Sequence, residues 1–360
     1  MSHTPRLFQP ITLRSITARN RIAIAPMCQY SATDGLGSDW HIQHLGARAA
    51  GGAGIVFTEA THVSAIGRIT PYCLGLWDGP QQALAARIAA VIKQCGSVPG
   101  IQIAHAGRKA SSQRPWEGGA PIPAAEGGWQ TVAPSAIPFV AGAADPTALT
   151  PAGIAEIAAQ FAATARMARE AGFQIAEVHA AHGYLLHSFL SPISNRRNDA
   201  YGGDLAGRAR FLMETIDAVR AEWPAELPLF VRLSCVDHVP GGLSIEDSVA
   251  LSRMLAARGD VDLIDCSSGG ISPEMRIPSL HPGYQVPYAE AIKHGAQIAT
   301  GAVGLITEAT HAAEIIANDR ADLVLVARAA LADPAWPLRV ARTLGMKPEM
   351  PLQYGRATLT

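Results

Sequence analysis

The sequence predicts an α/β fold, a (β/α)8 TIM barrel forming a single domain over residues 1–360. Three observations carry that expectation. Short apolar runs recur eight times along the chain. Amphipathic, alanine-rich segments separate them. No G-x-G-x-x-G follows the first run, which counts against an open dinucleotide-binding sheet, the other architecture that strand–helix alternation allows. Eight is also the strand number at which a parallel barrel closes.

The elements follow in order. Leu7–Asn20 precedes the first strand and fits a short hairpin covering the barrel floor. Strands are expected at Ile22–Pro26, Gly54–Ala60, Pro99–His105, Gln174–Ala180, Pro228–Ser234, Val261–Ser267, Gln297–Gly301 and Ala321–Ala327. These runs are continuous rather than alternating, as strands buried on both faces of a parallel sheet require. Helices are expected at Gln81–Gln94, Pro151–Ala171, Ala206–Glu222, Ser244–Arg258, Thr307–Ala317 and Pro334–Leu344. Thr150 before Pro151, Ser244 before Glu246–Asp247, and Asp333 before Pro334 are start signals, because their side chains can accept an orphan N–H of the first turn. Gly107–Thr150, after the third strand, is long, polar and rich in Pro and Gly. Such a loop in a compact domain is usually functional, and a lid is the expectation.

Composition narrows the class. A hydrophobic content of 48% is ample for a large core. Lys and Arg number 29 against 30 Asp and Glu, and no basic stripe with interleaved aromatics occurs, so nucleic acid is not an expected partner. The N-terminus has no long apolar stretch of the signal-peptide kind, and no run of about 18 apolar residues occurs, so no membrane span is expected. Cys28, Cys73, Cys95, Cys235 and Cys266 are scattered and form no C-x-x-C pair, which argues against a disulfide framework, a metal site or an iron–sulfur cluster. A soluble, cytoplasmic enzyme is the expectation.

In a barrel, chemistry sits where strands end. Polar and reactive side chains concentrate there: Met27-Cys28-Gln29-Tyr30, Gln102 to His105, His179 to Tyr184, Arg232, Ser267-Ser268, Thr300 to Ala302, and Ala327-Arg328. His179, His182 and Tyr184 on one loop read either as donors to a substrate oxygen with a proton source, or as satisfied structural groups. A metal reading lacks further ligands. Cys28 reads as a reactive or tuning thiol or as a small buried hydrophobe. Glycines after the seventh strand and Arg328 after the eighth suit a phosphate, since barrels bind phosphate with these two loops. Arg232 inside an apolar strand needs a partner, either a buried carboxylate or an electron-rich ring. Gln102 offers donor and acceptor to a ring edge or a loop. Up to this point a flavin and a sugar phosphate remain equal alternatives. An aldolase would want a lysine at a strand end, and Lys93, Lys109, Lys293 and Lys347 end none of the expected strands.

The strings themselves resemble the Old Yellow Enzyme family of FMN-dependent ene-reductases, in its thermophilic-like bacterial subgroup. They are Asn20-Arg21-Ile22 to Ala25-Pro26-Met27-Cys28-Gln29-Tyr30, Gln102 to Lys109, Glu177-Val178-His179-Ala180-Ala181-His182-Gly183-Tyr184-Leu185, Ser191-Pro192 to Gly203, Pro282-Gly283-Tyr284-Gln285-Val286 and Thr300-Gly301-Ala302-Val303-Gly304. The resemblance runs from about Leu7 to about Tyr354. It implies FMN across the barrel mouth, with Ala25, Pro26, Met27 and Cys28 along the ring. Ala60 and Gln102 would bond the ring edge, Arg232 would lie near N1 and C2, and Gly301-Ala302 with Ala327-Arg328 would hold the phosphate. It implies a ping-pong reduction of activated alkenes by NADPH or NADH. His179 and His182 would bind the substrate oxygen, Tyr184 would donate the proton, Cys28 would tune the flavin and Tyr30 would bond the substrate. Relatives suggest a homodimer or homotetramer, in which an Arg matching Arg356 reaches a neighbouring subunit's site. Two positions depart from the family pattern: Ala327 stands where Gly is usual, and no Trp follows Arg356. Dienoyl-CoA reductases share the barrel but add a cluster and a second nucleotide-binding domain, whose cysteine pattern is absent here.

Overall fold

The structure, a computed structural model, describes residues 4–357. Ile11–Leu13 (β1) and Ile16–Ala18 (β2) pair antiparallel, with Arg14 at the turn held by Asp262 at 2.6 Å. Ile11, Leu13, Ile16 and Ala18 pack onto the inward side chains of the barrel, including Ile55, Phe57, Phe230 and Leu263. The hairpin therefore plugs the N-terminal end of the barrel.

The chain then alternates. Ile22–Ile24 (β3) leads to Asp39–Ala50 (α1), Ile55–His62 (β4) to Gly79–Gln94 (α2), and Val98–Ala104 (β5) to a long loop. That loop contains the two-residue pair Val132–Ala133 (β6) and Thr147–Ala148 (β7), and ends at Pro151–Glu170 (α3). Ile175–Ala180 (β8) is followed by Leu185–Leu190 (α4) and Leu205–Glu222 (α5), and Leu229–Ser234 (β9) by Ile245–Arg258 (α6). Leu263–Ser267 (β10), Val286–Ala296 (α7), Ala299–Ala302 (β11), Ala309–Ala317 (α8), Leu323–Val326 (β12), Arg328–Ala332 (α9) and Trp336–Thr343 (α10) complete it. The eight strands β3, β4, β5, β8, β9, β10, β11 and β12 close into one parallel barrel.

All eight expected strands are present, with ends shifted by up to two residues. Thr150 accepts from the Gly153 N–H at 3.2 Å, and Ser244 and Asp247 form a reciprocal capping box. Asp333 is a correction. The last helix starts at Trp336, and the Asp333 carboxylate instead accepts the Ala335 N–H in a turn at 2.9 Å. The intervening Pro334 lacks an N–H and the extended Asp333 breaks the chain between α9 and α10. The sequence pattern did not single out α1 or α7. α1 carries two histidines and a glycine and α7 one histidine and a glycine inside the helix, which dilute the periodic signal.

Outward strand side chains such as Ile24, Val178, Val231 and Val324 meet the helix layer in the main core. Inward side chains are apolar near the floor, where Phe57 and Phe230 rings lie 6.0 Å apart. Toward the mouth they become polar, which is where parity along each strand delivers Gln102, Glu177, His179, Arg232, Ser234, Asp265 and Ser267.

Candidate active site

The loop after β8 carries the densest chemistry. His182 and Gly183 both have positive φ, +59° and +76°. Such backbone favours glycine, so a histidine there is held by its surroundings. Three side chains do the holding. Ser234 Oγ accepts the His182 N–H at 2.9 Å, Lys109 Nζ donates to the His182 carbonyl at 2.8 Å, and His187 Nδ1 accepts the Gly183 N–H at 2.8 Å. A Cβ on Gly183 would lie 2.1 Å from the Gly270 carbonyl oxygen, so no side chain fits.

His187 is itself fixed from behind. Because its Nδ1 accepts, its Nε2 carries the proton and donates to Asp237 at 2.9 Å. Asp237 also accepts from Ser191 Oγ at 2.6 Å and the Leu243 N–H at 2.8 Å. Burial alone would raise the Asp237 pKa, but these partners outweigh it and bring it below the usual carboxylate value. Sequence reasoning missed this pair, as His187 and Asp237 stand 50 residues apart.

The same logic orders the two imidazoles in the mouth. His179 Nδ1 accepts the Ala181 N–H, so its Nε2–H points at His182 Nδ1, 3.3 Å away. His182 Nε2–H then donates to Ser267 Oγ at 2.7 Å. Burial, with Arg232 second, holds both imidazoles well below their ordinary pKa, so both are neutral donors at neutral pH. The Tyr184 ring lies edge-on to His179 with centroids 5.1 Å apart, and burial raises its pKa, so the phenol keeps its proton. Lys109 Nζ sits 5.2 Å from the Tyr184 ring centroid. Burial, then Arg108, brings it down to about 8. Lys109 ends no strand, yet its loop returns it to the mouth.

Cys28, Tyr30, Tyr184 and Trp129 pack around Ile69, Cys73, Ala106 and Ala110. Burial raises the Cys28 thiol, which therefore stays protonated, and raises the Tyr30 phenol. Tyr30 stands edge-on to Trp116 of the long loop at 5.7 Å. That loop is tied down beside the mouth, with Trp129 Nε1 donating to the Ile66 carbonyl at 2.9 Å and Arg108 donating to the carbonyls of Ile137 and Ile271. Ala25 and Ala60 are buried at the ends of β3 and β4, with Pro26 and Met27 half-buried beside them. Gln102 donates to Glu177 Oε1 at 2.7 Å, and the partner that Arg232 needs is Asp265, 2.9 Å from its Nε. The angle at Nε is too bent for a good hydrogen bond, so this is an ion-pair contact.

Across the mouth, a cleft of about 580 Å³ opens between the ends of β10, β11 and β12. Its walls include Arg232, Ser267, Gln285, Gly304, Ala327 and Arg328. Gly301 and Ala302 lie inside β11, buried, and the lining starts one residue later, at Val303. Gly304 has φ +129° and closes on Gln285, so its backbone faces the space without a side chain. Arg328 is exposed at the start of α9. A glycine backbone and a guanidinium on either side of a cleft are the donor set that a phosphate needs, and the polar inner layer beside it offers hydrogen-bonding groups to a heteroaromatic edge. The residues present therefore fit FMN. Arg356 is exposed and makes no hydrogen bond or ion pair among the described residues. The chain reaches it from Met346–Glu349, which lie at the barrel floor against Phe8 and Arg19, the end opposite the mouth. Among the described residues no group of His, Cys, Asp and Glu is placed to hold a metal, and no helix is long and apolar enough to cross a membrane.

Fold and site together define a barrel enzyme whose mouth sets a phosphate-ready cleft beside a pocket of neutral proton donors. The sequence profile of the NADH:flavin oxidoreductase / NADH oxidase family matches residues 6–346. The chain is 45% identical over 354 residues to the NADPH dehydrogenase of Listeria innocua, covering 98% of this chain and 99% of that one. It is 46% identical over 353 residues to that of a Geobacillus species, covering 97% and 98%. Among solved structures it superposes on morphinone reductase with a TM-score of 0.79, 26% identity and 100% of each chain covered. On a 2-naphthoyl-CoA reductase the TM-score is 0.85 at 27% identity, covering 95% of this chain but 53% of that one. The chain thus belongs to the NADH:flavin oxidoreductase / NADH oxidase family, that of the Old Yellow Enzyme. It is an oxidoreductase that uses FMN with a nicotinamide nucleotide. Membership sets aside the flavin-free, sugar-phosphate alternative that the residues alone had left open.

Proposed function

We propose that this enzyme reduces the C=C bond of activated alkenes, meaning α,β-unsaturated carbonyls and nitro compounds, in a ping-pong cycle with NADPH or NADH. One observation carries the reading: His179, His182 and Tyr184 form a fixed cluster of neutral donors on a strained, triply anchored loop at the barrel mouth. Bound FMN supplies the hydride transfer, from the nicotinamide and then to the alkene β-carbon. A substrate oxygen entering the pocket takes the N–H groups of His179 and His182 that now serve internal acceptors. Two preorganised donors then polarise the double bond. Tyr184, kept protonated by burial, gives its proton to the α-carbon. Gln102 and Arg232 meet the ring edge with Ala60, while Ala25, Pro26, Met27 and Cys28 line its side. Tyr30 bonds the substrate. The segments Gly301–Gly304 and Ala327–Arg328 take the phosphate.

The same reading places the enzyme in the cytoplasm as a homodimer or homotetramer. Arg356, exposed and without a hydrogen bond or ion pair among the described residues, is then free to serve a neighbour's site. The test is a visible spectrum of the purified protein during anaerobic addition of NADPH and then 2-cyclohexenone. Yellow protein that bleaches with NADPH and recovers with the enone is expected. Recovery with oxygen but never with any enone or nitroalkene would sink the alkene assignment.

A further inference from the structure

Directly below the histidines, the barrel interior holds an unusual layer. β5, β8, β9 and β10 turn Gln102, Glu177, Arg232 and Asp265 inward, and all four are buried. Gln102 is register partner to Glu177, and Arg232 to Asp265. The register partners that flank this layer, Ala60 beside Gln102 and Gly301 beside Asp265, do not titrate. His179, two residues on along β8, is neutral. The layer therefore contains two carboxyls and one cation.

Two carboxylates in so dry a space repel, and one guanidinium cannot neutralise both. The contacts agree. Glu177 Oε2 has no hydrogen-bond partner, and neither Asp265 oxygen has one beyond the bent contact with Arg232. An ionised carboxylate with unmet lone pairs in the core is costly, and a shared proton removes that cost. Burial first, and Asp265 second, raise Glu177 to about 8. Burial also raises Asp265, with Arg232 opposing.

Two of these side chains, Gln102 and Arg232, are the ones assigned above to the flavin ring edge, so the inference rests on that reading. We propose that Glu177 and Asp265 share one proton and hold it more tightly when the flavin is reduced, so that at alkaline pH reduction draws a proton from water onto Glu177. The balance is simple. NADPH becomes NADP+ and gives two electrons and one hydrogen to the flavin. Separately, a solvent proton forms one O–H bond on the Glu177 carboxylate, and no bond to carbon breaks. Reoxidation by the alkene returns that proton to water. The added negative charge beside the layer is what strengthens the proton's hold.

The experiment is a spectroelectrochemical titration of the FMN-loaded protein from about pH 6 to about pH 10, with Glu177→Gln and Asp265→Asn alongside. One proton per two electrons gives about 30 mV per pH unit, and two protons give about 60. Wild type is expected to follow the shallow slope near neutrality and to steepen above about pH 8. Glu177→Gln keeps an acceptor for Gln102 and should stay shallow throughout. Asp265→Asn should move the steepening to lower pH, since it removes the charge that holds the proton. A wild-type slope that stays near 30 mV overturns the proposal even if no variant folds, as does a steepening that survives in Glu177→Gln. Colourless protein that takes up no FMN would instead fail the proposed function, before any slope is read.

Discussion

The two sides of the barrel mouth are built on different principles. On the β8 side, the groups that face the pocket are buried or half-buried, and the backbone that carries them is fixed by side chains from the ends of β5 and β9 and from α4. His182 is held by Ser234 and Lys109, and Gly183 by His187, which Asp237 holds in turn. On the β11 and β12 side, a cleft is bounded by a bare glycine backbone and an exposed arginine. The first design suits proton and polarisation chemistry, where a misplacement of about 1 Å can cost a hundredfold in rate. The second suits a resident cofactor's phosphate, which needs charge and room but little directional precision. Substitutions on the first side should therefore cost turnover, and those on the second should cost cofactor affinity.

The strongest way to break this contrast is Gly183→Ala. The new Cβ meets the Gly270 carbonyl oxygen at 2.1 Å in a backbone region that disfavours any side chain. The loop must leave its anchors. Alkene turnover is expected to fall roughly a thousandfold, about 4 kcal/mol in the barrier. FMN content and flavin reduction by NADPH should survive, since neither depends on the loop. Stopped-flow measurement of the two half-reactions checks this. Equal loss in both would mean that the loop also builds the cofactor site.

Acid should separate the two sides next. His62 and His105 are fully buried, and burial lowers them to about 4 and about 3. Their ordinary value is 6.5, so below that pH the unfolded chain binds protons that the native state refuses. The stability they confer is fully present above pH 6.5 and is lost as pH falls toward their folded values. For His62 alone that amounts to roughly 3 kcal/mol by about pH 4. His179 and His182, lowered by the same burial, add to it. Denaturant unfolding across this range should show the loss. Hydrogen exchange should reach β4, β5 and β8 before β11 and β12, and a uniform loss across the barrel would erase the distinction.

Tyr184→Phe removes one proton and little else. About a hundredfold slower alkene reduction is expected, with flavin reduction unchanged. If flavin reduction slowed instead, Tyr184 would belong to the nicotinamide-binding surface.

How much of this was readable beforehand differs between the two sides as well. Strand positions were legible because continuous apolar runs of that length report burial on both faces. Tyr184, His179 and His182 were legible because they lie on one short stretch. Their supports were not, because Asp237, Ser234 and Lys109 arrive from other loops, and only a closed barrel puts those loops side by side. Glu177 could have been found. It precedes His179 by two residues, so strand parity points both side chains inward. Of the residues expected at the phosphate, Gly301 and Ala302 lie inside β11, and the lining of the cleft starts at Val303. Gly301 was read as an open approach, whereas the structure uses it inside the barrel, where a Cβ would meet Leu325 Cδ1 at 2.4 Å.

The smallest expected effect tests the other half of the contrast. Arg328 is exposed, so its attraction for a phosphate is weakened by water and by salt. Arg328→Ala should raise the FMN dissociation constant about tenfold, in line with roughly 1.5 kcal/mol for one charged hydrogen bond. At saturating FMN, turnover should equal that of wild type, since no group on the β8 side has moved. High ionic strength should shrink the gap between the two proteins, because screening takes from the wild type what the substitution has already removed. FMN titrations at low and high salt would show it. An unchanged affinity would leave the phosphate to backbone N–H groups around Gly304. A turnover defect that persists at saturating FMN would show instead that the cleft governs ring placement, and that the two sides of the mouth are not independent.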